Sequence, residues 1–436
     1  MMETADETTG RSDNQRLTAW LITATILSAA GGMAYSIWWP AVVRHHSYYW
    51  VTPGDIWSAV RVAHYIQWGG LSYVYSFHSA LLTLPGFEIL LAPVVALGSA
   101  LGLSESSVWL QLFRPELWLL VGPFCLAFVG VPLFAFDALA RLFGISRGRR
   151  RILIATEAVA IWPTIALWGH PEDVAALGVL VYAMIALNKG RLTRAGWLFG
   201  VAIALQLYVV FLIPLVLAVV GIRKGAALVA RAALLPGCLL VAVLVPNFHD
   251  AWWTLSNQPN FPTISHPTPL VLLSHHITST EVSAGPIRLL AAVFAIVLGV
   301  VARRWREDWR TIWWLVAVAC GIRCLFEPVI VPYYVMPAVA VAFAMAPTLG
   351  KARWLAAVAA GIGVTIMTYS HSNMWTYWLE MTSLLTTMFW FACPIRRRNQ
   401  GEVSPAALSP DARDSSGDIA APIPVLVGAS PAPSIG

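Results

Sequence analysis

Apolar residues run along this chain in long blocks, and the polar positions gather in the gaps between them. At about 20 apolar residues per bilayer crossing, the blocks near 17–39, 152–168, 174–188, 228–246, 287–302, 311–326, 333–347, 354–371 and 374–393 each predict a spanning helix. The run from Ala195 to Gly221 starts and ends beside basic clusters, so it predicts a hairpin of two short helices that enters and returns. Residues 84–143 require an odd number of crossings, either one with a re-entrant segment or three. Pro85, Pro93, Pro115, Pro123 and Pro132 predict breaks there without choosing between the two. The expected fold is all-α: a polytopic transmembrane bundle of about twelve spans by this hydropathy count.

Composition strengthens that picture. Of 436 residues, 58% are hydrophobic and only 11% charged, with a mean hydropathy of +0.69. A soluble domain carries about a quarter charged residues, whereas a bilayer accepts apolar surface if each crossing satisfies its own backbone as a helix. The first apolar run is long enough to span and lacks a small-residue cleavage site, so it reads as an anchor. The organisation expected is a tail over 1–16, a membrane domain over 17–393 and a disordered tail over 394–436, rich in Ala, Pro and Ser.

The formal charge of +6 comes from short clusters, not from one interleaved basic surface, which argues against nucleic acid. The clusters include Arg147 to Arg151, Lys189 to Arg194, Arg223 with Lys224, Arg303 to Arg310, and Lys351 with Arg353. By the positive-inside rule they, and both termini, face the cytoplasm of a multi-pass plasma-membrane protein. All ten histidines then fall in or beside the segments left outside, chiefly 40–83, 247–286 and the turns at 169–173 and 327–332. The five cysteines lie in apolar runs without metal or disulfide spacing and read as core residues.

The first external segment contains GDIWSAVRVAHYIQWGG. Asp55 stands where it could cap a helix that ends at Gly69 and Gly70. Trp57, Arg61, His64 and Trp68 share one stripe of that helix, the pattern of an amphipathic helix lying at the membrane interface. The chain has no P-loop, no Gly-rich dinucleotide turn and no HExxH helix. Outside the membrane neither ATP nor a nucleotide sugar is at hand, so an activated lipid is the natural donor for any group transfer.

A carboxylate in a GD-x-W sequence in the first loop, the amphipathic helix after it, and the YVYSF stretch together resemble the C-type glycosyltransferases that use polyprenyl-phosphate sugars. The similarity is greatest to actinobacterial mannosyltransferases of lipid and polysaccharide assembly. It continues through WGHPEDVAALGVLVYAMIALNKGRLTRAGWLFG and VPYYVMP, although Gln206 stands where that family commonly has Lys. The resemblance implies transfer of a sugar, mannose above all, from a polyprenyl-phosphate donor to a lipid or glycan acceptor, with membrane lipids as surroundings; the sequence assigns no cofactor and no metal ligands, and leaves open whether the transfer needs a divalent metal.

It further implies that Asp55 is the general base of an inverting transfer, because an acceptor hydroxyl needs a carboxylate within reach to take its proton. The departing phosphate needs cationic groups or donors, for which Arg44, His45, His46, Arg61, His275, His276 and Arg323 are available. His64, His170, Glu172 and Asp173 are candidates for a secondary polar or acceptor site. Each has a structural alternative. Asp55 could merely cap its helix, Arg323 could pair with Glu327 four residues on, His275 and His276 could be solvated loop residues, and the His170–Asp173 turn could simply end one helix and start the next. A transporter or flippase is the competing class, with Glu157 and Asp137 as buried carboxylates that could relay protons. A scaffold is a third, and it predicts nothing about Asp55.

Overall fold

Helices dominate because an apolar block satisfies its own backbone only as a helix, and Pro93, Pro123, Pro163, Pro236 and Pro337 lie inside helices without ending them, against the breaks expected at Pro93 and Pro123. In the computed structural model residues 3–43, 53, 55–75, 81–103, 116–262, 266–369 and 373–394 are described. Arg44, His45, His46 and the C-terminal tail lie outside them. In chain order the helices are α1 (Glu3–Val43), α2 (Ile56–Gly69), α3 (Gly86–Ala100), α4 (Trp118–Ala127), α5 (Gly130–Leu142), α6 (Arg147–Ala166), α7 (Pro171–Asn188) and α8 (Leu192–Leu205). They continue as α9 (Ile213–Val220), α10 (Ile222–Leu244), α11 (Phe248–Asn257), α12 (Arg288–Ala302), α13 (Trp309–Leu325), α14 (Pro332–Met345), α15 (Lys351–Met367) and α16 (Met374–Ala392).

The chain is a multi-pass membrane protein in its helices, but the expectation of about twelve crossings is not met. Four helical segments are long and apolar enough to cross: Gln15–Trp38, Trp118–Leu142, Pro171–Asn188 and Ile222–Leu244. The other apolar blocks fall short in length, in hydropathy or in freedom from charge. α14, for example, has 14 residues, below the length of a crossing. In 84–143 the second half forms one crossing and α3 is a shorter apolar helix. Bare apolar surface on α10 and α12, such as Val241, Val293, Ile296 and Val300, is what a lipid-facing wall requires.

The Ala195–Gly221 region is broken as expected. α8 ends at Gln206, whose backbone is extended (φ −155°, ψ 123°), and a 3₁₀ turn over Leu207–Leu212 leads into α9. The break places a polar side chain between two apolar helices.

The two ends of the bundle carry different chemistry. α6 begins at Arg147 and ends near Trp168, and 20 helical residues span about 30 Å. At its start Arg149 donates to the Pro347 carbonyl (3.1 Å). There Arg150 also holds Asp137 through Nε and Nη2 at 2.8 and 2.6 Å, with Arg141 3.3 Å from the same carboxylate. Arg353 donates to the carbonyl of Cys393. At the far end of α6, Trp168 meets Tyr333 at the start of α14 and Tyr369 just past α15. The basic cluster at 147–151 thus joins the start of α6 to the end of α14, and Arg353 joins the start of α15 to the end of α16, while the WGHPED turn sits at the opposite end of α6.

Short strands complete that opposite end. Pro259–Asn260 pairs with Val282–Ser283, and His266–Pro267 pairs antiparallel with Val329–Ile330. The second pairing, reinforced by Thr268 donating to the Glu327 carbonyl (2.6 Å), pins the 247–286 loop to the α13–α14 turn.

Candidate active site

The WGHPED turn is built to receive the first loop. After Pro163 the α6 helix unwinds: the Gly169 N–H reaches the Ile165 carbonyl and the His170 N–H reaches that of Thr164. Gly169 has φ +75°, and a Cβ there would lie 2.6 Å from the Ile56 nitrogen and 2.9 Å from the Pro53 carbonyl oxygen. Only glycine lets the backbone of the first loop pass this close. The Asp55 N–H then donates to the Trp168 carbonyl (2.9 Å). Pro171 occupies the first turn of α7, where its missing N–H costs nothing, and Glu172 and Asp173 follow on the same turn.

Asp55 stands at the N-cap of α2, and α2 ends at Gly69 before Gly70 (φ +66°), as the sequence predicts. Its side chain, however, makes no capping hydrogen bond. It turns instead to His170, with Nε2 3.0 Å from Oδ2. The other ring nitrogen, Nδ1, lies 2.6 Å from Glu172 Oε1 and 3.8 Å from Asp173 Oδ2. The three ligand atoms of His170, Glu172 and Asp173 all lie within 4.8 Å of one another, a geometry compatible with a metal ion. Burial by itself would favour the neutral ring, but the charge of Glu172 and the hydrogen bonds that the ring donates to Asp55 and Glu172 outweigh it and hold His170 well above the usual histidine range.

Two residues complete this acidic centre, one that the sequence did not single out and one that it noted only for standing in place of a Lys. Glu88 of α3 is buried, with Oε2 lacking a hydrogen bond, and acts electrostatically on Glu172 and His170. Gln206, at the break after α8, hydrogen-bonds Asp173 while its Oε1 accepts from the Leu207 N–H (3.1 Å). Tyr333 stacks on the His170 ring with centroids 3.7 Å apart.

A basic centre adjoins it. Arg323 donates from Nε to Glu327 Oε1 (2.8 Å), the pairing anticipated from sequence. Arg288, at the start of α12 and not singled out by any motif, donates to the same oxygen at 2.7 Å. Glu327 is fully buried while the two arginine side chains keep 13 and 15% exposure. The Arg323 guanidinium also lies 3.6 Å over the Tyr334 ring, and its charge reaches Asp173. Two cations against one carboxylate leave a net positive charge beside the acidic centre.

The remaining candidates stand apart. Arg61 packs over Trp57 (4.5 Å) and His64 against Trp68 (4.3 Å), so the α2 stripe pairs internally at i, i+4. His275 and His276 are exposed on a hairpin in which His276 bridges to Val282. Among the described residues no hydrogen bond, ion pair or ring contact joins either of them to Asp55, Arg288 or Arg323. An aromatic and apolar cleft lined by Pro163, Trp168, Tyr333, Val339, Thr368 and Tyr369 opens between α6, α14 and α15 beside the stacked His170–Tyr333 pair. No protein-family model matches the chain, and no curated protein matches it in sequence.

Proposed function

We propose that the protein is a membrane glycosyltransferase that moves a sugar, mannose in the first instance, from a polyprenyl-phosphate donor to a lipid or glycan acceptor. The chemistry takes place at the membrane face opposite the basic clusters, which by the positive-inside rule is the outer face of the plasma membrane. Asp55 accepts the proton of the acceptor hydroxyl as its oxygen bonds to the anomeric carbon. The bond from that carbon to the phosphate oxygen breaks, the electron pair leaves with the polyprenyl phosphate, and the anomeric centre inverts. Arg288 and Arg323 supply the positive charge that the leaving phosphate requires.

The observation that carries this reading is the orientation of the Asp55 side chain. A residue in the capping position that forgoes its cap and is aimed by a half-buried imidazole at a polar centre is doing something other than starting a helix. With 57% of its side chain exposed, it is reachable by an acceptor. Transfer of labelled mannose from a polyprenyl-phosphate donor in membranes holding the protein, with Asp55→Asn beside it, tests the assignment.

Transport retains one supporting observation. Glu157 is fully buried with both oxygens lacking hydrogen bonds. Asp137, by contrast, is held by Arg150 and Arg141 and is structural. Solute uptake into vesicles that is abolished by Glu157→Gln and indifferent to Asp55→Asn would favour transport.

A further inference from the structure

We propose that His170, Glu172 and Asp173 form a binding site for one divalent transition-metal ion, of the manganese or zinc class. Sequence reading assigned no metal here, because a single histidine and two adjacent acids lack a recognisable ligand spacing. The fold supplies what spacing does not. Residues 170, 172 and 173 straddle the start of α7, and the Pro171 turn folds the His170 ring back over the first helical turn, so that one nitrogen and two carboxylate oxygens converge.

Charge and unsatisfied atoms point the same way. Glu172 Oε2 and Asp173 Oδ2 are buried and lack hydrogen-bond partners. Asp173 is only 2% exposed, and its orphan oxygen is directed at His170 Nδ1, 3.8 Å away. A third buried carboxylate, Glu88, comes from a different helix and also carries an orphan oxygen. Buried carboxylate oxygens without donors are costly. Four carboxylates, Asp55, Glu88, Glu172 and Asp173, surround a single imidazole, and Arg323 lies only on the Asp173 side. A divalent cation would satisfy the orphan oxygens and offset the gathered negative charge together.

The donor set chooses the class of ion. One imidazole with two carboxylates is a borderline nitrogen–oxygen set that suits zinc or manganese, whereas calcium and magnesium take oxygen ligands almost alone. Metal on Nδ1 fixes the ring proton on Nε2, which faces Asp55 Oδ2. The ion therefore sets the tautomer that holds Asp55, an outer hydrogen bond of the kind that metal-bound histidines habitually make. The site stands on its own geometry and does not depend on sugar transfer, so metal binding is read without donor or acceptor.

The test uses the full-length protein purified in detergent, stripped with EDTA, dialysed and titrated with MnCl₂, with free Mn²⁺ followed by its electron paramagnetic resonance signal. One saturable Mn²⁺ per chain is expected. Glu172→Gln and Asp173→Asn should each weaken binding at least tenfold, whereas His249→Ala, at an exposed histidine on α11, should leave it unchanged. Echo-modulation spectra of the bound ion in the wild-type protein should show coupling to a single histidine nitrogen, a readout that does not rely on any variant folding. Absence of stoichiometric binding, absence of nitrogen coupling, or binding that survives in both carboxylate variants with monodisperse elution would overturn the proposal.

Discussion

Tyr333 and Tyr334, adjacent in sequence at the start of α14, serve two opposite charge centres. Tyr333 stacks on His170 of the acidic group, and Tyr334 lies beneath the guanidinium of Arg323. The two rings meet edge to face with centroids 5.0 Å apart. Successive helical residues diverge by about 100°, so a helix that starts at this point presents one ring to each centre and fixes their separation. Replacing Tyr333 by Leu keeps apolar bulk but removes the stack, and should lower transfer with little change in abundance. Tyr333→Phe, which keeps the ring, should restore activity.

Gly169 is the narrowest point of the site. Its positive φ and the 2.6 Å approach of Ile56 leave no room for a methyl group, so Gly169→Ala must either strain the turn or push the first loop away. A cost of about 1–3 kcal/mol is expected. It should appear as a lower melting temperature in detergent together with loss of transfer, because Asp55 travels with the displaced loop. Gly144→Ala, also at positive φ but with open space around it, should show only the backbone penalty.

The shared carboxylate of Glu327 separates a structural from a ligand-binding role for its two arginines. Glu327→Gln leaves two cations facing each other at a fully buried position. Breaking such a group costs about 3–5 kcal/mol, so protein level should fall sharply. Arg323→Met leaves Arg288 to neutralise Glu327 and should spare abundance. Loss of a charge-assisted contact to phosphate, at about 1.5–3 kcal/mol, should then raise the KM for donor about 10- to 100-fold. Equal loss of abundance in the two variants would make the cluster purely structural.

Sidedness is open to labelling. With Cys238 and Cys393 changed to Ser, a thiol placed at Thr280 in the exposed hairpin should react with an impermeant reagent in intact cells, and one at Ser146 should not. The reverse pattern would put the acidic centre in the cytoplasm.

Local features of the site were legible in the sequence, while its assembly was not. GDIWSAVRVAHYIQWGG specifies α2 to within a residue, because a capping acid, a helical stripe and paired glycines all agree on its limits. That the Ala195–Gly221 run is broken was legible from a short apolar run confined between two basic clusters, but the position of the break at Gln206 was not. Nor was the number of crossings, since an apolar stretch of sequence does not fix how many of its residues one helix holds, and α14 holds only 14. Glu88 and Arg288 were invisible for a related reason. Each is a lone charge at the start of an apolar helix, and its significance comes from partners 84 and 39 residues away in sequence, Glu172 and Glu327. His275 and His276 misled in the opposite sense: a conspicuous pair in one dimension, they sit exposed on a hairpin.

The aim of Asp55 at His170 makes a graded expectation. His170→Gln keeps a hydrogen-bonding group but not the ring, and loosens both the Tyr333 stack and the Asp55 contact. Misplacement of a reacting group by about 1 Å can cost on the order of 10²-fold in rate, so transfer should fall by about that factor and less than in Asp55→Asn.

The central claim is that Asp55 is a base and not a cap, and one measurement addresses it directly: initial rates of sugar transfer from a polyprenyl-phosphate donor for wild type, Asp55→Asn and Asp55→Ala at matched protein abundance. Asn preserves size and the Trp168 backbone contact, and no capping bond is lost because none is made. Both variants should accumulate normally and lose transfer by about 10²- to 10⁴-fold, the usual contribution of a general base. Near-normal transfer by Asp55→Asn, in membranes where the parent protein is active, would contradict the account.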